Sequence, residues 1–411
     1  MMKGKYLNNI VMLKIDLMLR GVRLDESAED LALPFKGRAG SGIDLALPRG
    51  MLVNVPCGDE FTKDSIYSLV KKKKGSLVIT DGEIEVTVKL VPKPLFFGKK
   101  TSTGMPLTDI ATAHGSYVVI TPSPRCEFFD NKVECRYCAG NFDQSGGDSR
   151  VFTVEEVLET VSEVLKEPRV GIIYLSIGWS EGDDGGVAFL EPYVRAIKKH
   201  FNCIVAVEAL PPKTNRWIDD TYAMGVDSLL YNLEIFDKEL FELICPGRAR
   251  AIGRQRYVEA LKYAGSVFPS GTVASHLIVG LEPPGSTCQG VDFLTSMGVV
   301  PILPIYRPQS GRSLRIEPLD AEIIIPVYRH LYKAVRDNGI NMNWVRDISV
   351  VTTPIEGKFL TGENSNFLNA VSDFFYKSKF GLKTAWGLST LRRKLRVKDA
   401  GEAKGKEPLK H

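Results

Sequence analysis

From residue 117 onward, short apolar runs alternate with amphipathic stretches. YVVITP at 117–122 is apolar and β-branched, as a buried strand requires. TVEEVLETVSEVLKE at 153–167 spaces its apolar residues for one face of a helix, with Thr153 at the cap position and Glu156 three residues later. The rhythm then repeats: GIIYLSIG before VAFLEPYVRAIKKHF, CIVAVEAL before NRWIDDTYAMG, SLLYNLEI before a helical segment from Asp237 to Ala264 broken at CPGR. TVASHLIVGL precedes GVDFLTSMG, and VVPILPIY precedes AEIIIPVYRHLYKAVRDNG. Six strand–helix units in roughly 220 residues predict an α/β fold, a parallel sheet with crossover helices. The sheet is either open and doubly wound or a barrel short of eight units, and in both ligands gather at the carboxyl ends of the strands. No G-x-G-x-x-G follows the first strand, which counts against a dinucleotide-binding sheet.

The first hundred residues read differently. They are rich in Gly, Pro and Lys and show no long helical repeat. Lys71 to Lys74 close a short helix, and GSLVIT and EIEVTVKLV form a hairpin joined by a tight turn at Asp81-Gly82. The organisation predicted is a small α+β accessory domain over 1–95, a connector over 96–116 and the strand–helix array over 117–345. A C-terminal segment over 346–390 packs on the array, and 391–411 is a basic, disordered tail.

Composition changes this picture little. Apolar content of 44% and charged content of 25% are ordinary for a globular chain. The net charge of +4 comes from the tail, where eight Lys/Arg face three Asp/Glu, leaving the remainder at −1. A body with no basic surplus gives no sign of nucleic-acid binding. No run of 18 apolar residues suggests a membrane span, and Asp16 and Arg20 break up the N-terminal apolar run as no secretory leader would. Seven cysteines, an odd number, do not make a disulfide framework for 411 residues. They point to a reducing cytoplasm and to metal or catalytic use.

Three of those thiols crowd into RCEFFDNKVECRYCAG at 125–140. Cys126, Cys135 and Cys138, spaced C-x8-C-x2-C, fall in the loop after the first strand of the array. Three thiolates can hold three irons of a [4Fe–4S] cluster and leave the fourth iron open. A structural zinc wants four ligands, and only His114 is near in sequence. Three unligated buried thiols are the third reading.

Three such cysteines after the first strand of an incomplete βα barrel, with Tyr137 just before the last, resemble the radical S-adenosylmethionine (SAM) superfamily. The usual first gap there is three residues, against eight here. YNLEIFD at 231–237, then RYVEALKYAG and SHLIVGLEP, resemble the motif order of the biotin-synthase-like branch. FFGKKTSTGMPLTDIATAHG and ICPGRARAIGRQRY resemble a little-characterised subgroup of it whose bacterial members occur beside nitrilase genes. The resemblance covers about residues 95–320. It implies a partial (βα)6 TIM-type barrel, with SAM chelating the open iron through its amino and carboxylate groups. SIGWSEGDDGG matches the Gly-rich methionine-binding segment, making Ser176, Gly178 and Ser180 candidates. Asn232 and Glu234 match the pair that holds the ribose. Arg256 is the first candidate for the SAM carboxylate, Arg248 the second. The reaction implied is reductive cleavage of SAM to methionine and a 5′-deoxyadenosyl radical that removes hydrogen from an unactivated carbon.

Cys203 reads as core. Cys57, Cys245 and Cys288 are either scattered buried thiols or the ligands of a second iron–sulfur cluster, which in biotin and lipoyl synthases supplies inserted sulfur. Sulfur insertion is therefore the expected sub-reaction, with rearrangement, cyclisation or carbon–carbon bonding as the alternative, and a non-catalytic metal-binding scaffold as the reading from another class. The expected partners are a small-molecule or carrier-protein-bound substrate, a reductant such as ferredoxin or flavodoxin, and a partner radical SAM protein; neither nucleic acid nor membrane is expected. Arg307 and Arg312, in YRPQSGR, are candidates to meet a carboxylate or phosphate.

Overall fold

The computed structural model describes residues 6–31, 42–73, 75–138, 150–168, 170–307, 314, 316–317, 319–342, 345, 348–362 and 379–404. The N-terminal part opens with helix α1 (Ile10–Arg20), a helix the composition of this region does not announce. Asn9 caps it, its Oδ1 accepting from Val11 N and Met12 N at 3.1 and 3.2 Å. Strands β1 (Arg23–Leu24), β2 (Ile43–Ala46), β3 (Leu52–Val55), β4 (Ser68–Lys71), β5 (Leu77–Thr80) and β6 (Glu85–Leu90) form a sheet in the order β1-β4-β5-β6-β2-β3. The short helix expected to close at Lys71–Lys74 is instead β4, paired antiparallel with β5 from Ser68↔Thr80 to Lys71↔Leu77. Sheet pairing decides there, where a run of four lysines hid the alternation. The hairpin of β5 and β6 forms as expected, but its turn spans Asp81 to Ile84. Asp81 Oδ1 accepts from Glu83 N and Ile84 N at 3.0 and 2.9 Å, a side-chain-closed loop in place of the tight turn.

The expected connector carries a helical turn α2 (Leu107–Ile110) and strand β7 (Ala111–Ala113). Next come β8 (Tyr117–Ile120), the one-turn helix α3 (Glu127–Asp130), α4 (Val154–Val164), β9 (Ile172–Ser176), α5 (Val187–His200), β10 (Ile204–Ala209), α6 (Arg216–Met224) and β11 (Ser228–Tyr231). They are followed by α7 (Lys238–Ile244), α8 (Pro246–Ala251), α9 (Arg254–Val267), β12 (Val273–His276), α10 (Pro284–Ser296), β13 (Val300–Ile302), α11 (Ala321–Asp337) and α12 (Pro354–Gly357). The Thr153–Glu156 capping box of α4 is present with both reciprocal bonds. Strands β8 to β13 are all parallel, and β7 adds antiparallel to β8, giving the linear order β13-β12-β11-β10-β9-β8-β7. This is the expected six-unit half-barrel, with all six carboxyl ends on one side.

The N-terminal sheet joins the array's last edge. Pro304, just past β13, bridges antiparallel to Val351, and Asn54 N on β3 donates to Ser349 O at 2.7 Å. A buried ion pair locks the junction: Lys14 Nζ lies 2.8 and 2.9 Å from the two Glu356 oxygens and 3.0 Å from Ile348 O. The tail does not stay disordered from 391: helix α13 (Lys379–Lys404) runs into it. Ser389 Oγ and Arg393 Nη2 each reach Asp227 Oδ1 at 2.6 Å, at the start of β11. Lys198 Nζ and Val205 N take the other oxygen, so a charge that would be costly unpaired is fully engaged.

Candidate functional site

The cysteine loop sits over the carboxyl ends of β8, β9 and β10. Cys126, Cys135 and Cys138 line one cavity of about 70 Å³, together with Phe128, Phe129, Glu134, Ser176, Gly178, Trp179, Glu208, Asn232 and Arg248. The eight residues between the first two cysteines fold into α3, a turn tied by Asn131 N to Glu127 O at 3.0 Å and Val133 N to Phe128 O at 2.8 Å. Lys132 turns the chain back with φ 56°. Phe128, 3% exposed, stacks on Trp179 with ring centroids 4.3 Å apart and planes 6° from parallel. It also lies over Gly247, where a Cβ would come 2.6 Å from the Phe128 ring. The long gap is thus a built element that plugs an aromatic between two loops.

Gly178 brings the loop after β9 into contact with Cys126. A Cβ there would lie 2.4 Å from Arg125 O and 2.6 Å from Cys126 Cβ. Glu127 N donates to Trp179 O at 2.8 Å, and Trp179 N points at Cys126 Sγ at 3.4 Å. Burial pushes the Cys126 thiol pKa up, whereas a hydrogen bond with the thiol of Cys245 draws Cys135 down to about 7.

Beneath the thiols lies a polar layer. Ser176 Oγ donates to Glu208 Oε2 at 3.0 Å, Asn232 Nδ2 donates to Glu208 Oε1, and His276 N donates to Asn232 Oδ1 at 3.2 Å. Two residues back along the same strands, Tyr174, Ala206 and Leu230 line a second cavity of about 110 Å³, with Tyr117, His276 and Ser228 and otherwise mainly aliphatic walls. Period-two alternation puts both layers on the same, inner face of the strands. His114 stacks on Tyr117 at 5.4 Å, and burial, with His276, pushes its pKa down to about 4.

Arg248, from α8, reaches the thiol cavity; its Nη1 donates to Asn232 O at 2.7 Å and lies 3.4 Å from Glu234 Oε1. Glu234 holds φ 69°, rare for a residue with a Cβ, and its backbone is pinned by His276 O and Ile278 N at 2.8 Å each. Glu234 Oε2 and Arg248 Nε are buried here with no hydrogen-bond partner among the described residues. Arg256, the first candidate for the SAM carboxylate, does not face this cavity. Its guanidinium is spent on Pro212 O at 2.7 Å and Asn215 Oδ1 at 2.8 Å, along the wall of a neighbouring cavity of about 720 Å³. Its place on α9, one element beyond Arg248, aims it outward. Ser180 is exposed and does not line the thiol cavity either.

The three thiols considered for a second cluster are not brought together. Cys57 lies two residues past β3 beside Asp59, Cys288 lies within α10 beside Asp292, and Cys245 is fully buried near Cys135. Among the described residues no three His, Cys, Asp or Glu converge as a single metal ion needs. Three thiols spread around one cavity suit a cluster better, because each meets a different iron. Arg307 is turned to Asn54 O at 3.3 Å, and Arg312 lies outside the described residues.

Glu208 and Trp179 are site residues that the motif reading passes over. Glu208 had a signal: it is the one carboxylate in the otherwise apolar run CIVAVEAL. Trp179 had none beyond its place beside Gly178.

The Radical SAM superfamily matches residues 120–283, which include every residue of the thiol cavity. The chain is 27% identical over 123 residues to bacteriochlorophyllide c C-7(1)-hydroxylase of Chlorobaculum limnaeum, covering 29% of this chain and 31% of that protein. The chain thus spans about a third of the length of the curated relative it matches. Among solved structures, methylornithine synthase (PylB) is similar with a TM-score of 0.44 and 18% identity, over 53% of this chain and 62% of that one. HydG, a maturase of the [FeFe]-hydrogenase, is similar at 0.42 and 16%, over 54% and 50%. The family implies a [4Fe–4S] cluster and SAM, and the donor set suits them: three thiols, a glycine cradle, and buried polar atoms awaiting partners. Residues 120–283 of this chain, the part that carries the thiol cavity, are thus similar to the radical SAM superfamily.

Proposed function

We propose that Cys126, Cys135 and Cys138 ligate the [4Fe–4S] cluster and that the enzyme abstracts hydrogen from an unactivated carbon of a small substrate in the half-barrel. The observation that carries this is the single cavity shared by the three thiols, Ser176, Gly178, Asn232 and Arg248. When bound, the cluster supplies the electron that splits SAM into methionine and a 5′-deoxyadenosyl radical. The chain's own residues bind and orient. Arg248 stands where a carboxylate would be met, taking the role first given to Arg256. Asn232 and Glu234 offer acceptors for ribose hydroxyls, and Gly178 lets backbone approach the methionine moiety. Phe128 and Trp179 cover the thiols on the outer side and keep water away from them. The apolar cavity below the Glu208 layer suits a substrate with little charge.

Sulfur insertion loses its main support, because Cys57, Cys245 and Cys288 stand in three separate places. The alternative without sulfur transfer, a rearrangement, cyclisation or carbon–carbon bond formation, is therefore the better reading. The motif order YNLEIFD, RYVEALKYAG, SHLIVGLEP still supports the biotin-synthase-like branch. Like its family, the enzyme would draw electrons from a reductant such as ferredoxin or flavodoxin. Among the described residues no helix is long and apolar enough to cross a membrane.

The test is anaerobic reconstitution followed by SAM and dithionite. About four irons per chain and 5′-deoxyadenosine are expected, with both lost in Cys126→Ala, Cys135→Ala and Cys138→Ala. Nucleoside formation that survives all three substitutions would sink the assignment.

A further inference from the structure

Helix α13 (Lys379–Lys404) has a face with no task in the fold. It carries eight Lys/Arg against two Asp/Glu. One side is fastened to the strand–helix array. Ser389 and Arg393 are buried and both reach Asp227 at 2.6 Å, and Arg393 Nη2 also donates to Val226 O at 3.0 Å. The Arg393 guanidinium lies over the Tyr222 ring, 5.3 Å from its centroid. These contacts set the rotation of the helix about its own axis. At roughly 3.6 residues per turn, Leu388, Leu391 and Leu395 then form one stripe on the opposite side. All three stand in solvent, at 63%, 56% and 57% exposure. The same spacing puts Arg392 along one edge of the stripe and Lys394 along the other, and both are exposed. Single exposed leucines are ordinary, but an unbroken row of three with cations on both edges has the form of a contact surface.

Charge selects the occupant. A second copy would set two cationic helices against each other, and like charges oppose that pairing. Nucleic acid is met by cations that stand together, not by cations parted by leucines. A peptide-binding groove needs more of the helix circumference than the docked side leaves free. A flat anionic surface needs only the outer face. Leucines enter the acyl boundary, and cations at the edges reach the headgroups. We propose that the outer face of α13 is a peripheral docking surface for an anionic lipid bilayer. The helix lies on the surface and does not cross it, since no described helix is long and apolar enough to span a membrane. Its anchor, Asp227, precedes β11, whereas the thiols sit over carboxyl ends of the strands. Among the described residues none of α13 lines the thiol cavity, so docking leaves that cavity open.

The test is flotation of the full chain with vesicles of phosphatidylcholine alone, or with about 30% phosphatidylserine added. Wild type should float with the anionic vesicles and stay behind with the neutral ones, and added salt should release it. Replacing all three leucines (Leu388→Ser, Leu391→Ser and Leu395→Ser together) should lower partitioning by roughly a hundredfold or more. Replacing the edge cations (Arg392→Gln with Lys394→Gln) should lower it by roughly tenfold. Both variants should keep the wild-type unfolding midpoint, because the changed side chains are exposed. Wild type that floats with neither vesicle, or equally with both, would overturn the proposal, and that comparison needs no variant. Undiminished flotation of the leucine variant would overturn it too, reducing the attraction to diffuse charge. A dimer in sedimentation velocity that the leucine variant dissolves, with no vesicle binding, would give the stripe to a second copy instead. Retardation of a DNA duplex that the cation variant abolishes, again with no vesicle binding, would give it to nucleic acid.

Discussion

Gly178→Ala is the sharpest test of how the site is assembled. The new Cβ would lie 2.4 Å from Arg125 O, 2.6 Å from Cys126 Cβ and 2.9 Å from Cys126 Cα. Comfortable carbon contacts start near ~3.5 Å, so one loop must retreat by about 1 Å. All three contacts are backbone or Cβ atoms, and none can swing aside as a side-chain tip could. A retreat of that size breaks the 2.8 Å bond from Glu127 N to Trp179 O and opens the Phe128–Trp179 stack. Overpacking costs about 1–3 kcal/mol, and a lost hydrogen bond about 1 kcal/mol more. A total near ~3 kcal/mol lowers occupancy of the docked loop by roughly a hundredfold. The assay is iron and sulfide per chain after gel filtration of the anaerobically reconstituted protein, with Gly182→Ala as control. A Cβ at Gly182 meets only Asp184 Oδ1, at 3.2 Å, on a side chain that can move. Iron should fall sharply in Gly178→Ala and stay at the wild-type level in the control. Full iron in Gly178→Ala, with an unchanged unfolding midpoint, would refute the reasoning.

Three further outcomes are expected. Arg248→Met should weaken SAM binding by roughly tenfold or more, the loss of one charge-assisted bond, while Arg256→Met leaves it nearly unchanged; isothermal titration distinguishes them, and equal losses would contradict the placement. Lys14→Met strands Glu356, whose side chain is 8% exposed, and should cost about 3–5 kcal/mol in denaturant unfolding; a change below about 1 kcal/mol would show the pair to be dispensable. His114 is held neutral, with its pKa pushed down to about 4 by burial and by His276. The unfolded chain binds its proton near ~6.5, so this contribution is complete above that pH and is lost as the pH falls toward 4. Roughly 3 kcal/mol should disappear across that window, and His114→Phe should flatten the slope; an unchanged slope argues against a buried neutral ring.

The six strand–helix units were legible because a strand buried on both faces is a continuous apolar run, and each is punctuated by an amphipathic helix. The cysteine triad was legible because thiols are scarce and these are close in sequence. What escaped depends on contacts between distant segments. Nothing in ICPGR shows that Cys245 lies near Cys135, 110 positions away. Arg248 and Arg256 are two helical turns apart in a basic stretch, and only the break at Ile252 and Gly253 turns one inward and the other outward. Helix α1 escaped because its apolar residues run all round it, so it shows no amphipathic face. Its Lys14 and Asp16 look like surface charges until Glu356 and Tyr67 are found opposite them.

The turn that fills the long cysteine spacing has a consequence for how such chains diverge. Phe128 occupies room that exists only because residue 247 lacks a Cβ. Shortening the spacing to three residues would leave that room empty, and enlarging residue 247 would expel the ring. The two changes are therefore tolerable only in concert. Across related sequences, spacing and glycine should be inherited as a pair: long loops with glycine at 247, short loops with that position free to vary. An alignment in which the two vary independently would mean that the aromatic plug is an accident of this chain rather than a heritable part of its architecture.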